Sequence, residues 1–68
     1  MLLKVIFDDT PLVPSMEPGT YDEREAVSLP FGTTLLVLEH KDYPGGTYYH
    51  VLSPEGPGWV YQHNVAPL

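Results

Sequence analysis

The sequence predicts an all-β fold, a small partly open barrel of five short antiparallel strands with a long first loop. Three observations predict it. Eight prolines and six glycines punctuate the 68 residues, so a long helix has nowhere uninterrupted to form. The runs between those breaks are short and rich in Val, Leu, Thr and Tyr, residues that suit a pleated, half-buried surface. A small meander of such strands leaves unpaired edges, and closure into a barrel satisfies them.

Residues 2–7 (LLKVIF) read as the first strand, ended by the turn-forming pair Asp8 and Asp9 and then by Pro11 and Pro14. Residues 15–31 are polar, acidic and punctuated by proline, which reads as a long surface loop or a splayed hairpin. Residues 33–40 (TTLLVLEH) form the strongest strand, closed by the cluster Asp42, Tyr43, Pro44, Gly45, Gly46, and residues 47–52 return as its hairpin partner. Residues 53–58 (SPEGPG) make a second tight connection to a short strand at 59–61. A break at 62–64 precedes a last strand at 65–68. Apolar alternation turns Leu35, Val37, Val51, Val60 and Val65 inward, joined by Val5 or Ile6.

Sixty-eight residues bury only about 60% of the surface of the unfolded chain, which fits one domain spanning residues 1–68 and leaves no room for a deep cofactor cavity. The 43% hydrophobic content suffices for a folded core despite a net charge of -6. With no cysteine, neither disulfides nor thiolate-bound zinc can supplement that core. Nine acids against three Lys and Arg repel phosphate backbones and anionic lipid, so neither nucleic acid nor membrane is an expected partner. The opening MLLKVIF is too short an apolar run for a signal peptide, and a cytoplasmic location is the expectation.

Reactive chemistry finds no foothold. His40, His50 and His63 lack compact metal-ligand spacing, and Ser15, Ser28 and Ser53 sit beside no nucleophile-elbow pattern. Asp8 and Asp9, if extended, point to opposite faces, which does not make an acid-base pair. No glycine loop suits a phosphate. The reading is of a non-enzyme without cofactor or metal. The conspicuous feature is aromatic: Tyr48, Tyr49, Trp59 and Tyr61 fall in two neighbouring strands, where they either cap a thin core or form an exposed shelf for a partner. Asp22, Glu23 and Glu25, with Asp8, Asp9 and Glu17, form an acidic half that either solvates the chain or docks a basic segment. In residues 15–25, only Met16 and Tyr21 are large apolar anchors. Their burial offsets little of the roughly 1–2 kcal/mol per residue of backbone ordering. A segment that is mobile in the free chain and orders on binding is the expectation.

From Phe31 to Leu68 the chain resembles the SH3 superfamily. FGTTLLVLE is similar to the family's Gly-x-x-hydrophobic-x-Val-Leu-Glu strand, TYYHV to its paired-aromatic strand, and GWVYQHNVAPL to its ending through a single helical turn to a final Val. The bacterial branch (SH3b), with its Gly-Trp-Val ending, is the nearer relative. The resemblance implies an SH3-like barrel and a peptide-binding shelf at the positions of Tyr48, Tyr61 and Asn64. The first keeps an aromatic, the second carries a ring where the family has Pro, and the third has no ring. It further implies an acidic first loop facing Arg or Lys of the ligand, with Tyr21, Asp22 and Glu23 in that loop. The expected function is a non-catalytic protein- or peptide-binding module, monomeric, using Tyr48, Trp59, Tyr61, Asn64, Tyr21, Asp22 and Glu23 on a partner that can carry a basic segment. The alternatives are a small structural or assembly subunit of a viral or cellular complex, and a cell-wall (peptidoglycan) binding domain.

Overall fold

A computed structural model describes residues 1–14 and 26–68. Among these residues β1 is Leu2–Val5, β2 Thr10–Leu12, β3 Val27–Leu29, β4 Thr34–Tyr43, β5 Gly46–Ser53 and β6 Gly56–Tyr61. A 3-10 turn at Gln62–Asn64 leads into β7, Val65–Pro67. The five strands expected from the sequence are β1, β4, β5, β6 and β7, and they form one antiparallel sheet in the order β6-β5-β4-β1-β7. Alternation sets the inner face. The register places Leu3 beside Leu35, Val5 beside Val65 and Val37 beside Val51. One cluster of Leu3, Val5, Leu12, Leu29, Leu35, Val51, Val60 and Val65 results, to which every strand contributes. A core lined from all sides, with β6 and β7 joined by the 3-10 turn, gives an all-β, partly open barrel.

Of the alternatives for the first strand, Val5 is fully buried, whereas Ile6 is only half-buried and donates its N–H to the Asn64 carbonyl at 2.9 Å. Val37 packs against the core without being enclosed by it. The strand ends early because the groups that would extend its pairing are used by a turn: Val5 N–H bonds Thr33 O, and Gly32 N–H bonds Val5 O.

The long first loop needs correction at its second end. Residues 26–31 are not all surface loop, because Val27–Leu29 pairs with Thr10–Leu12 in the register Thr10↔Leu29 and Leu12↔Val27, the base of a splayed hairpin. Leu12, which precedes Val13 between two prolines, and Leu29, between Ser28 and Pro30, both drop into the core, Leu29 completely. Side chains lock the base. Asp8 Oδ1 accepts the Phe31 N–H at 3.0 Å, Asp9 Oδ1 accepts the Ser28 hydroxyl at 3.1 Å, and buried Thr10 donates its hydroxyl to Phe7 O at 2.7 Å. Tyr21, Asp22, Glu23 and Glu25, and the mobility expected of residues 15–25, lie outside the described residues.

The hairpins are tighter than the sequence suggests. Asp42 and Tyr43 belong to β4, so the β4–β5 turn is just Pro44-Gly45, and Gly46 follows with φ 132°. β6 starts at Gly56, three positions earlier than expected, after a Pro54-Glu55 turn tied by the Ser53 hydroxyl to Gly56 O. A bulge interrupts the β4–β5 register between Val37 and Glu39. No helix among the described residues is long and apolar enough to cross a membrane.

Candidate functional site

The pleat divides β5 and β6 into two faces. Val51/Gly58 and Tyr49/Val60 are inner pairs, so Leu52/Pro57, His50/Trp59 and Tyr48/Tyr61 stand on the outer face. Tyr49 therefore packs against the core, while Tyr48, Trp59 and Tyr61 line up on the other side. His40 and His50 are likewise separated, since His40 pairs with Tyr49 and His50 with Glu39.

A close approach brings β2 alongside this face. At Gly58 a side chain would place its Cβ 2.6 Å from Leu12 Cγ and 3.0 Å from the Val13 carbonyl, so only the absence of a Cβ lets the two segments meet. Directly beyond, Val13 and Trp59 exchange both backbone hydrogen bonds, at 3.0 and 2.8 Å. Pro11 and Val13 are thereby set against the rings. Together with Tyr48, Trp59, Tyr61 and Asn64 they line a groove of about 180 Å³.

Within the groove the rings support one another. Tyr48 lies 4.9 Å from Tyr61 and 5.9 Å from Tyr43, and Tyr61 meets His63 edge-on at 5.1 Å. The Tyr61 hydroxyl donates to Gly45 O at 2.7 Å, which anchors this wall to the hairpin turn. Asn64 is fixed through its carbonyl, the acceptor for Ile6 N–H. Trp59 is enclosed where the two tyrosines are not. It is 8% exposed, packed with Val13 and against Ala26, Tyr43 and Tyr48. His50 stacks on it at 4.6 Å with 13° between planes, and Lys41 Nζ lies 5.4 Å from its centroid. Trp59 is the floor; the half-buried Tyr48 and Tyr61 are the walls.

The structure thus brings together Tyr48, Trp59, Tyr61 and Asn64, four of the residues singled out from the sequence. It adds Pro11, which reads in sequence only as a strand terminator, and Val13, which nothing in the sequence singles out. Lys41 and His50 were also missed, although both follow from the register once Tyr48 and Trp59 are placed. A wider hollow of about 440 Å³ lies on the other side of Pro11, bordered by Asp9, Ala26 and Ser28. Its polar side chains Asp9 and Ser28 bond each other. Among the described residues no three His, Asp or Glu side chains gather as metal ligands would. No family model, curated protein or solved structure matches the chain.

Proposed function

We propose that this protein is a non-catalytic, SH3-like module that holds a protein or peptide segment in the groove between β2 and the outer face of β5 and β6. One observation carries the reading: residues distant in sequence, Pro11 and Val13 on one side and Tyr48, Tyr61 and Asn64 on the other, converge over the ring of Trp59. An apolar floor with aromatic walls and a few polar tips is the usual makeup of a recognition groove. Preorganisation supports it further, because the Tyr61 hydroxyl bond to Gly45 holds that ring before any ligand arrives. A groove of about 180 Å³ suits an extended segment that offers one or two apolar side chains at a time. The composition of the first loop, with Asp22 and Glu23, extends the proposal to a basic flank on that segment. Selection from a random peptide library on the immobilised protein, followed by titration of the selected peptide, tests it. Replacing Tyr48 and Tyr61 together by Ala is expected to weaken binding at least tenfold, about 1.4 kcal/mol. Unchanged affinity in that folded double variant overturns the reading.

A further inference from the structure

A second surface lies on the same sheet, and the case for it does not depend on the groove. β4 contains an unbroken apolar run from Leu35 to Leu38, and pleating must send part of it outward. Leu35 enters the core with no exposure, whereas Leu36 stays 42% exposed on the other face. In register, Leu36 stands between Leu2 of β1, 48% exposed, and Leu52 of β5, 47% exposed. Leu52 in turn faces the exposed Pro57 of β6. Four apolar side chains therefore form one row across four strands.

The row widens where the chain ends meet. Val37 N–H donates to Met1 O and Leu68 N–H to Leu2 O, which places Met1 and Leu68, both about two-thirds exposed, beside Leu2. Leu38, at the bulge next to Leu36, is 51% exposed. Single exposed leucines are ordinary, but a contiguous apolar patch of this kind marks a contact surface.

The flanks indicate what covers it. On one side of the row Lys4 pairs with Thr34, and on the other side Glu39 pairs with His50. Lys4 follows Leu2 by two positions and so shares its face, as Glu39 shares that of His50. We propose that this face binds a second copy of the chain, row against row, about a two-fold axis running along the row. That axis leaves the leucines opposite leucines and exchanges the flanks, so Lys4 of each copy meets the side of the other that bears Glu39. The two lie on adjacent strands, an offset of about 4.8 Å that a lysine side chain spans. Lys41 also lies on the Glu39 side but is drawn over the Trp59 ring, which leaves Glu39 as the complement of Lys4, and in an isologous contact each copy supplies that complement to the other. The tyrosine walls of the groove stand beyond the His50–Trp59 row, outside the leucine contact.

Sedimentation velocity across a concentration series tests the proposal on the full chain. The expected species is a dimer of the 7.6 kDa protein. Leu36→Lys, at a site outside the core, is expected to be monomeric with an unchanged circular dichroism spectrum and unfolding transition. Lys4→Glu is expected to weaken the dimer roughly tenfold, and adding Glu39→Lys to recover most of that loss. Tyr48→Ala with Tyr61→Ala is expected to leave the dimer intact, which separates this surface from the groove. A parent that stays monomeric at about 1 mM, a folded Leu36→Lys that dimerises like the parent, or a charge swap as weak as Lys4→Glu alone overturns it.

Discussion

Gly58→Ala tests whether the groove depends on the contact between β2 and β6. The new Cβ would lie 2.6 and 2.7 Å from Leu12 Cγ and Cδ1, about 1 Å inside ordinary van der Waals contact. Leu12 is 3% exposed and part of the core cluster, so it cannot swing into solvent, and the Val13 carbonyl 3.0 Å away is held by Trp59 N–H. Two responses are open. Leu12 can be forced off its rotamer, an overpacking cost of about 1–3 kcal/mol. Otherwise β2 moves outward, losing the two Val13–Trp59 hydrogen bonds at about 1 kcal/mol each and part of the Leu12 burial. Either way the loss is expected to be about 2–3 kcal/mol, a large share of the roughly 3–10 kcal/mol typical for a chain of this size. Urea denaturation followed through the fluorescence of Trp59, the chain's single tryptophan, measures it. The cause is isolated by a cycle with Leu12→Ala, which makes room for the methyl. If the contact is the cause, the double variant is more stable than the sum of the singles predicts by about 1 kcal/mol or more. A Gly58→Ala midpoint equal to the parent's, or strict additivity in the cycle, refutes the reasoning.

Three further outcomes are expected in the same assay. Val51→Ala, at a fully enclosed site, costs about 1–3 kcal/mol, and Val37→Ala, its cross-strand partner at a partly enclosed site, costs less; midpoints of both variants equal to the parent's would show the wrong face of the β4–β5 pair inside. Gly46→Ala strains a residue at φ 132° and drives a methyl into the Tyr61 ring 2.6–3.0 Å away, costing about 1–3 kcal/mol, while Tyr61→Phe removes only the bond to Gly45 and costs about 1 kcal/mol or less. Equal effects of the two would mean that the turn does not hold the ring. Thr10→Val leaves the Phe7 carbonyl without its hydroxyl donor and costs about 1 kcal/mol, and a stabilised variant would contradict that role.

Much of the sheet was legible because its signals are local. Alternation identified Leu35, Val51, Val60 and Val65 as inward, and the glycines and prolines located both hairpins. The β2–β3 pairing was not legible, since strands of three residues containing Pro11 or flanked by Pro30 carry no period, and Leu12 and Leu29 are buried only by what lies opposite them. The aromatic cluster was visible in sequence but its division was not. Trp59 became the floor because β2 lies across its edge, a contact 46 residues away in sequence that depends on a missing Cβ at Gly58. The exposed leucine row was hidden for another reason. An unbroken run such as Leu35–Leu36–Val37–Leu38 does not say which face is core, and only the register with Leu2 and Leu52 shows that one face is left uncovered.

The position of β1 has a consequence for how the chain folds. It lies between β4 and β7, so Leu3 stands in register on one side with Leu35, about 30 residues away, and on the other with Pro67, almost the full length of the chain. The hairpins β4–β5 and β5–β6 close over two-residue turns and can form as soon as they are made. The pairing of first strand with last must wait, and the loop it closes is the longest the chain offers. Folding is therefore expected to be limited by docking of the two ends onto a preformed three-stranded meander, on the millisecond-to-second scale of non-local β topologies rather than the microseconds of its hairpins. Until that step the buried side of Leu35, Val51 and Val60 is open to solvent, and the nascent chain is at its most prone to aggregation while it already carries most of its groove.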